Sequence, residues 1–313
     1  MRKNKRVRDL TAETRLHQDE FVLPIFFDEK LSKVKINDSM PGVRTFPLGG
    51  YDGIASGIQS SGVNSVLVFG VPAEKDPQGS GAYAVDGVVQ KAICGIKENS
   101  DILVIADLCL CEYTDHGHCG ILDKSGWVKN DETLELYAKT AVSQAAAGAD
   151  IIAPSGMMDG QISAIRTALD DAGFKEIPIM AYSAKFYSAY YGPFRDVACS
   201  APGHGDRAGY QMPCGNRKEA IREIELDIEE GADIIMVKPA GPYLDIVRDA
   251  AEMFDLPLAA YQVSGEYAMI KAAARNGWID EDRVMMESLL GIKRAGADII
   301  ITYFAEEAAR KLI

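Results

Sequence analysis

Eight short runs rich in Val, Ile and Leu recur along this chain, each followed by an amphipathic or loop stretch. The runs are Phe21–Phe27, Ser65–Gly70, Asp101–Leu110, Ala149–Ser155, Pro178–Lys185, Ala232–Lys238, Pro257–Ser264 and Ala297–Tyr303. They are continuously apolar rather than alternating, as parallel strands covered on both faces must be. Helical periodicity runs between them through Asp131–Ala147, Gly160–Ala172, Asn216–Glu230, Pro242–Phe254 and Asp280–Ala295. Three of these helices end in the same phrase, Gly-Ala-Asp-Ile-Ile, at 148–152, 231–235 and 296–300. Its glycine supplies a left-handed helix C-cap and its Ile pair opens the next strand. Eight strands alternating with helices within 313 residues predict an α/β fold of the (β/α)8, or TIM-barrel, type. A doubly wound open sheet is the alternative, but no glycine-rich phosphate loop follows an early strand.

The barrel pattern occupies residues 21–313 and leaves residues 1–20 outside it. Arg2, Lys3, Lys5, Arg6 and Arg8 make this arm a solvated charge run. An arm this polar cannot fold alone, and reads as a flexible tail or as an element that packs on another subunit. The net charge of −13 argues against nucleic-acid binding, which needs a basic face. No apolar run is long enough to span a bilayer, and the basic start lacks an apolar h-region. Six cysteines without framework-like spacing point to a reducing compartment, hence the cytoplasm.

In a barrel of this kind the chemistry sits at the C-terminal strand ends. The third run leads into Cys109-Leu-Cys111-Glu-Tyr-Thr-Asp-His-Gly-His-Cys119. Strand alternation would put Asp107, Cys109 and Cys111 on one face, and the glycine-containing turn would fold Cys119 back towards them. Three thiolates without an obvious fourth suit zinc held with one position open. A redox pair, a disulfide or plain buried thiols are the other readings. His116 and His118 could be ligands too, but zinc prefers thiolate where it is offered, so the reading preferred for them is as groups that orient the ligands or face substrate. The fourth run ends at Ser155, and the fifth and sixth end in Lys185 and Lys238, the latter between Met-Val and Pro. Burial and a second nearby ammonium both favour a neutral, nucleophilic amine, so this pair suits Schiff-base chemistry. The alternative is that each lysine reaches solvent or pairs with a carboxylate. Residues 186–217 are too long for an ordinary barrel connection and read as a lid. Within it, Arg195 and Arg207 could clamp a carboxylate or form surface salt bridges.

These residues carry a resemblance over nearly the whole chain. The cysteine loop, Tyr-Ser-Ala-Lys185-Phe, Tyr-Gly-Pro-Phe-Arg195-Asp, Met-Val-Lys238-Pro and Tyr-Gln-Val-Ser264-Gly-Glu resemble the porphobilinogen synthase, or delta-aminolevulinic acid dehydratase, family of the zinc-dependent type. That family condenses two molecules of 5-aminolevulinate into porphobilinogen with loss of two waters, in tetrapyrrole synthesis. The resemblance implies that Lys238 forms the Schiff base and that Ser264 and Tyr303 hold that substrate's carboxylate. It implies that Lys185 helps to bind the second substrate, that Arg195, Arg207 and Gln211 clamp its carboxylate, and that Asp107, Ser155 and Tyr191 line the pocket. Zinc would sit on Cys109, Cys111 and Cys119, and a magnesium ion at Glu223. The arm would wrap a neighbour in a homo-octamer. The lid segment Gln211-Met-Pro-Cys214-Gly215-Asn216 departs from the more usual form and adds a fourth thiol near the mouth. A class I aldolase would need one lysine and no metal, and a zinc-storage scaffold would need neither lysine.

Overall fold

The computed structural model describes residues 1–312. Its strands are β1 (Phe21–Asp28), β2 (Lys35–Ile36), β3 (Arg44–Phe46), β4 (Ser65–Val71), β5 (Leu103–Leu108), β6 (Ile151–Pro154), β7 (Met180–Lys185), β8 (Ile234–Lys238), β9 (Leu258–Gln262) and β10 (Ile299–Thr302). β2 and β3 pair antiparallel, and β3 lies along the upper end of β1. The other eight strands run parallel in the order β6-β5-β4-β1-β10-β9-β8-β7. The two ends of that row meet through a parallel bridge between Ile152 and Ile179, where Ile152 N–H donates to Pro178 O at 3.1 Å. The row therefore closes as the (β/α)8 barrel that the eight apolar runs predict.

Each run marks one strand: β1 and β4 extend one residue past their runs, and the other six strands are shorter than theirs. β5 stops at Leu108 rather than Leu110, because Leu110 O accepts the N–H groups of Tyr113 and Thr114 in a tight turn. Cys109 and Cys111 thus belong to a loop, and their shared direction comes from that turn rather than from strand alternation.

The repeated phrase acquires a second meaning in three dimensions. Gly148, Gly231 and Gly296 have φ of 100°, 103° and 124°, as a left-handed exit from a helix requires. The aspartate after each one reaches back across the bottom of the barrel. Asp150 accepts from Val104 N–H at 2.7 Å, Asp233 from Ile179 N–H at 2.8 Å and Asp298 from Leu258 N–H at 3.0 Å. Each satisfies a donor at the start of the preceding strand, where the ladder supplies no partner.

The arm has more local structure than its polarity suggests. Lys5–Leu10 form one short helix capped by Asn4, with none of its residues buried. The chain then passes a 3-10 turn at Gln18–Glu20 and enters β1. No helix among the described residues is long and apolar enough to cross a membrane.

Candidate active site

β7 and β8 deliver the two lysines side by side. Lys185 and Lys238 are register partners in the parallel pair, and both side chains are buried. Strict alternation would not allow this together with an inward Tyr182, three residues before Lys185. The register shifts between Ala181 and Ala184, so β7 carries an extra residue there. This bulge turns Lys185 to the inner side. Lys185 Nζ donates to the Ser155 carbonyl.

Lys238 Nζ is enclosed by aromatic rings. It lies 4.1 Å from the Tyr261 ring centre, 5.0 Å from Tyr182 and 5.4 Å from both Tyr191 and Phe194. Burial, then the neighbouring Lys185 ammonium, push its pKa down to about 7. A substantial share of neutral amine is thus present near neutrality, as a nucleophile towards a carbonyl needs. Asp107, at the end of β5, is raised to about 7 by burial and by the Glu112 charge, against the pull of both lysines. Ser155 Oγ donates to Asp107 Oδ2 at 3.1 Å, while Asp107 Oδ1 and the Tyr182 hydroxyl are buried with no hydrogen-bond partner among the described residues.

The three cysteines form a compact buried set whose sulfurs all lie within 4.8 Å of one another. Among the described residues it is the one group of three or more His, Cys, Asp or Glu side chains able to share a metal ion. Cys109 Sγ donates to Cys111 Sγ at 3.3 Å without a disulfide, and all six cysteines are free thiols. The Cys119 thiol is held well below its usual pKa by the facing Cys109 and Cys111 thiols, and further by Arg207. Burial and the neighbouring thiols push the Cys109 thiol the other way, well above its usual pKa, and a soft, buried three-thiol set of this kind fits zinc. Cys214 is exposed and lies outside the set. Glu112, which no sequence pattern singles out, is buried and accepts from Cys111 Sγ at 3.2 Å.

The long connection after β7 lies closed over the barrel. It contains a 3-10 turn at Ala189–Tyr191 and a short helix at Gly192–Val197. Phe194 descends from it onto the barrel interior, 5.1 Å from the Phe69 ring and 5.8 Å from Phe26. Ser264 Oγ fastens the lid, accepting from Phe194 N–H at 3.0 Å and donating to Tyr190 O at 3.2 Å. Tyr191 donates to Phe186 O at 2.8 Å, beneath the Lys238 ammonium. Tyr303 Oη is 3.1 Å from Tyr261 Oη. Farther along the lid, Arg207 and Gln211 are buried. The Nε atoms of Arg195 and Arg207 and both side-chain amide atoms of Gln211 lack hydrogen-bond partners among the described residues. Buried donors left this way usually await a ligand or water.

Glu223 stands apart, on the outer helix Arg217–Glu229, where burial and then Glu219 and Asp159 raise its pKa. The structure therefore gathers the lysines, cysteines, Asp107, Ser155 and the lid residues at one end of the barrel, and leaves Glu223 on the periphery. The aromatic enclosure of Lys238 by Tyr182, Tyr261 and Phe194 has no local sequence signal, because each ring comes from a different element.

The delta-aminolevulinic acid dehydratase family model matches residues 1–311. The delta-aminolevulinic acid dehydratase of Bacillus subtilis is 55% identical over all of this chain and 96% of its own length. That of Archaeoglobus fulgidus is 55% identical over 98% of this chain and 95% of its own. The structure is similar to that of delta-aminolevulinic acid dehydratase from Toxoplasma gondii in complex with the reaction product porphobilinogen, with a TM-score of 0.96. That match has 41% identity over 99% of this chain and 89% of the other. With this match spanning the barrel, the lysine pair and the cysteine loop, the chain belongs to the delta-aminolevulinic acid dehydratase family.

Proposed function

We propose that this chain is a porphobilinogen synthase, a hydro-lyase that condenses two 5-aminolevulinate molecules into one porphobilinogen and two waters. We place the chemistry on Lys238. The observation that carries the reading is the burial of the Lys238 amine inside its aromatic enclosure, register-paired with Lys185.

The Lys238 amine adds to the ketone of the first substrate, forming a carbon–nitrogen bond and placing a proton on the former carbonyl oxygen. That oxygen leaves as the first water, giving a lysine imine. Asp107 Oδ1, unpartnered and near neutrality in pKa, is placed to carry protons to and from this centre. The second substrate's carbon takes the place of Lys238 on the first substrate, releasing the lysine amine. The first substrate's amine condenses with the second ketone, whose oxygen leaves as the second water; loss of the remaining ring protons gives the pyrrole. Arg207, Arg195 and Gln211 bind its carboxylate through the donors they leave free. Ser264 and Tyr303 bind the first carboxylate, Ser264 by exchanging its bond to Tyr190 O. Tyr191 walls the pocket. Phe194 and the closed lid exclude water, which favours both dehydrations. Cys109, Cys111 and Cys119 would hold zinc, which when bound supplies a Lewis acid with an open position for the second substrate.

The direct test is pyrrole formation from 5-aminolevulinate, followed with an aldehyde colour reagent across pH. Because the amine must be neutral, kcat/KM should rise about tenfold per pH unit below about 7 and level off above it. Lys185→Met removes the adjacent ammonium that lowers the Lys238 pKa, so the inflection should move to higher pH. An unmoved inflection would remove Lys185 from this role, and no pyrrole at any pH would defeat the reading.

We further propose residues 1–20 as an arm on a single barrel of 21–313, reaching a neighbour in a homo-octamer of a cytoplasmic enzyme. The exposed helix Lys5–Leu10 buries nothing within its own chain, which supports a partner elsewhere. Glu223, with Glu219, Asp159 and Glu230 near it, would hold magnesium largely through waters. Deleting residues 1–11 should reduce the particle size measured by light scattering and raise the substrate concentration at half-maximal rate. Magnesium should increase the particle size of the full chain but not of Glu223→Gln. An unchanged size after deletion would contradict the arm's role.

A further inference from the structure

The loop that carries Cys119 and the lid segment that carries Arg207 and Gln211 are stitched together. Gly203 N–H donates to His116 O at 2.9 Å, and Arg207 Nη2 donates to Gly117 O at 3.0 Å. Their backbones meet so closely that a Cβ on Gly117 would lie 2.3 Å from Ala201 O. His118 is buried and makes the central link. Its Nε2 is 2.8 Å from the His204 carbonyl, which can only accept, so Nε2 carries the proton. Nδ1 lies 3.1 Å from the Tyr210 hydroxyl, which donates to it in that tautomer. Tyr210 Oη in turn is 3.4 Å from Cys119 N–H, in position to accept from it. One chain of polar contacts thus runs from the backbone of a cysteine, through Tyr210 and His118, to the backbone of the lid.

We infer that His118 and Tyr210 are positioning residues that form a latch, through which metal occupancy of Cys119 sets the placement of Arg207 and Gln211 in the lid. The inference rests on the zinc reading above. Fixing Cys119 fixes its own N–H and the adjoining His118, and hence both ends of the Tyr210 contact. Without metal the cysteine loop gains freedom, and the lid loses its reference point. A bond made by a loop that is already ordered costs less entropy than one that must order both partners. Metal loading would thereby prepare the carboxylate clamp before the second substrate arrives.

The chain contains its own reporter. Trp127 lies over the lid at Gly209, where a Cβ would come 3.0 Å from Trp127 Cζ3. The chain's other tryptophan is Trp278, which is 77% exposed and remote in sequence from the lid. In a Trp278→Phe background, removing zinc from the full-length protein should change Trp127 emission, and restoring zinc should reverse it. Adding Tyr210→Phe, which keeps the ring and deletes the hydroxyl, should abolish that response while zinc content stays at the parent level. KM for 5-aminolevulinate should rise by roughly 5–20-fold with a smaller change in kcat, as expected for loss of a linking hydrogen bond. His118→Leu should behave the same way from the loop side. Limited proteolysis of the unsubstituted protein needs no variant: cleavage within residues 200–210 should be fast without zinc and slow with it. Zinc uptake without any change in lid cleavage would overturn the latch, as would a full Trp127 response in a zinc-loaded Tyr210→Phe protein. A protein that takes up no zinc would overturn both the latch and the zinc reading on which it rests.

Discussion

Replacing Lys238 by methionine is expected to lower porphobilinogen formation by at least about 10⁴-fold, the scale seen when a covalent nucleophile is removed from an assembled site. The size of the effect follows from the lack of a substitute. Lys185 is the adjacent amine, but it donates to the Ser155 carbonyl and lacks the ring of Tyr261, Tyr191 and Phe194 that surrounds Lys238. Its own substitution should shift the pH profile and weaken substrate binding while leaving an imine able to form. The fold should survive Lys238→Met, because an ammonium in an aromatic enclosure is costly to bury and a thioether of similar length is not. Circular dichroism and thermal melting should therefore match the parent. A variant that retains more than about a hundredth of the parent rate would remove Lys238 from the covalent role.

Changing Cys109, Cys111 and Cys119 together to alanine should abolish zinc uptake and reduce turnover by at least about 10³-fold. That is the order expected when the electrostatic organiser of one substrate is lost. The barrel should remain folded, since the loop begins after β5 has ended at Leu108 and its turn is held by Leu110, Tyr113 and Thr114 through backbone bonds. Single substitutions should weaken zinc in proportion to the lost thiolate, and chelation of the parent should mimic the triple variant reversibly. Metal analysis paired with the pyrrole assay reads both halves. A metal-free triple variant turning over at the parent rate would show that the thiols are only packing.

The barrel was legible in the sequence because a parallel strand covered on both faces must be apolar without interruption, and eight such runs admit few arrangements. The strand ends were less legible. β5 ends where Leu110 O captures two backbone donors, a turn that leaves no mark in the apolar pattern. The aspartates of the repeated Gly-Ala-Asp-Ile-Ile phrase were visible, but their bonds across the barrel floor depend on which strands become neighbours. The lysine pair shows the same division. Two lysines at the ends of adjacent apolar runs suggest a shared mouth, yet the meeting of Lys185 with Lys238 depends on a bulge in β7 that composition does not announce. The rings around Lys238 and the His118–Tyr210 contact join elements far apart in the chain, so closure of the barrel and lid must come first. The family resemblance makes Ser264 a substrate ligand. In three dimensions its hydroxyl first serves the lid, through Tyr190 and Phe194.

Borohydride reduction in the presence of 5-aminolevulinate, followed by peptide mass spectrometry, tests the central assignment most directly. The neutral amine favoured by burial and by Lys185 should condense with the substrate ketone, and reduction should fix that imine as a stable secondary amine on Lys238. The expected result is one substrate-derived adduct per active site, on the peptide containing Met236-Val-Lys238-Pro, with loss of activity in step with labelling. Label confined to exposed lysines, with Lys238 unmodified in an enzyme that turns over during the experiment, would contradict the account.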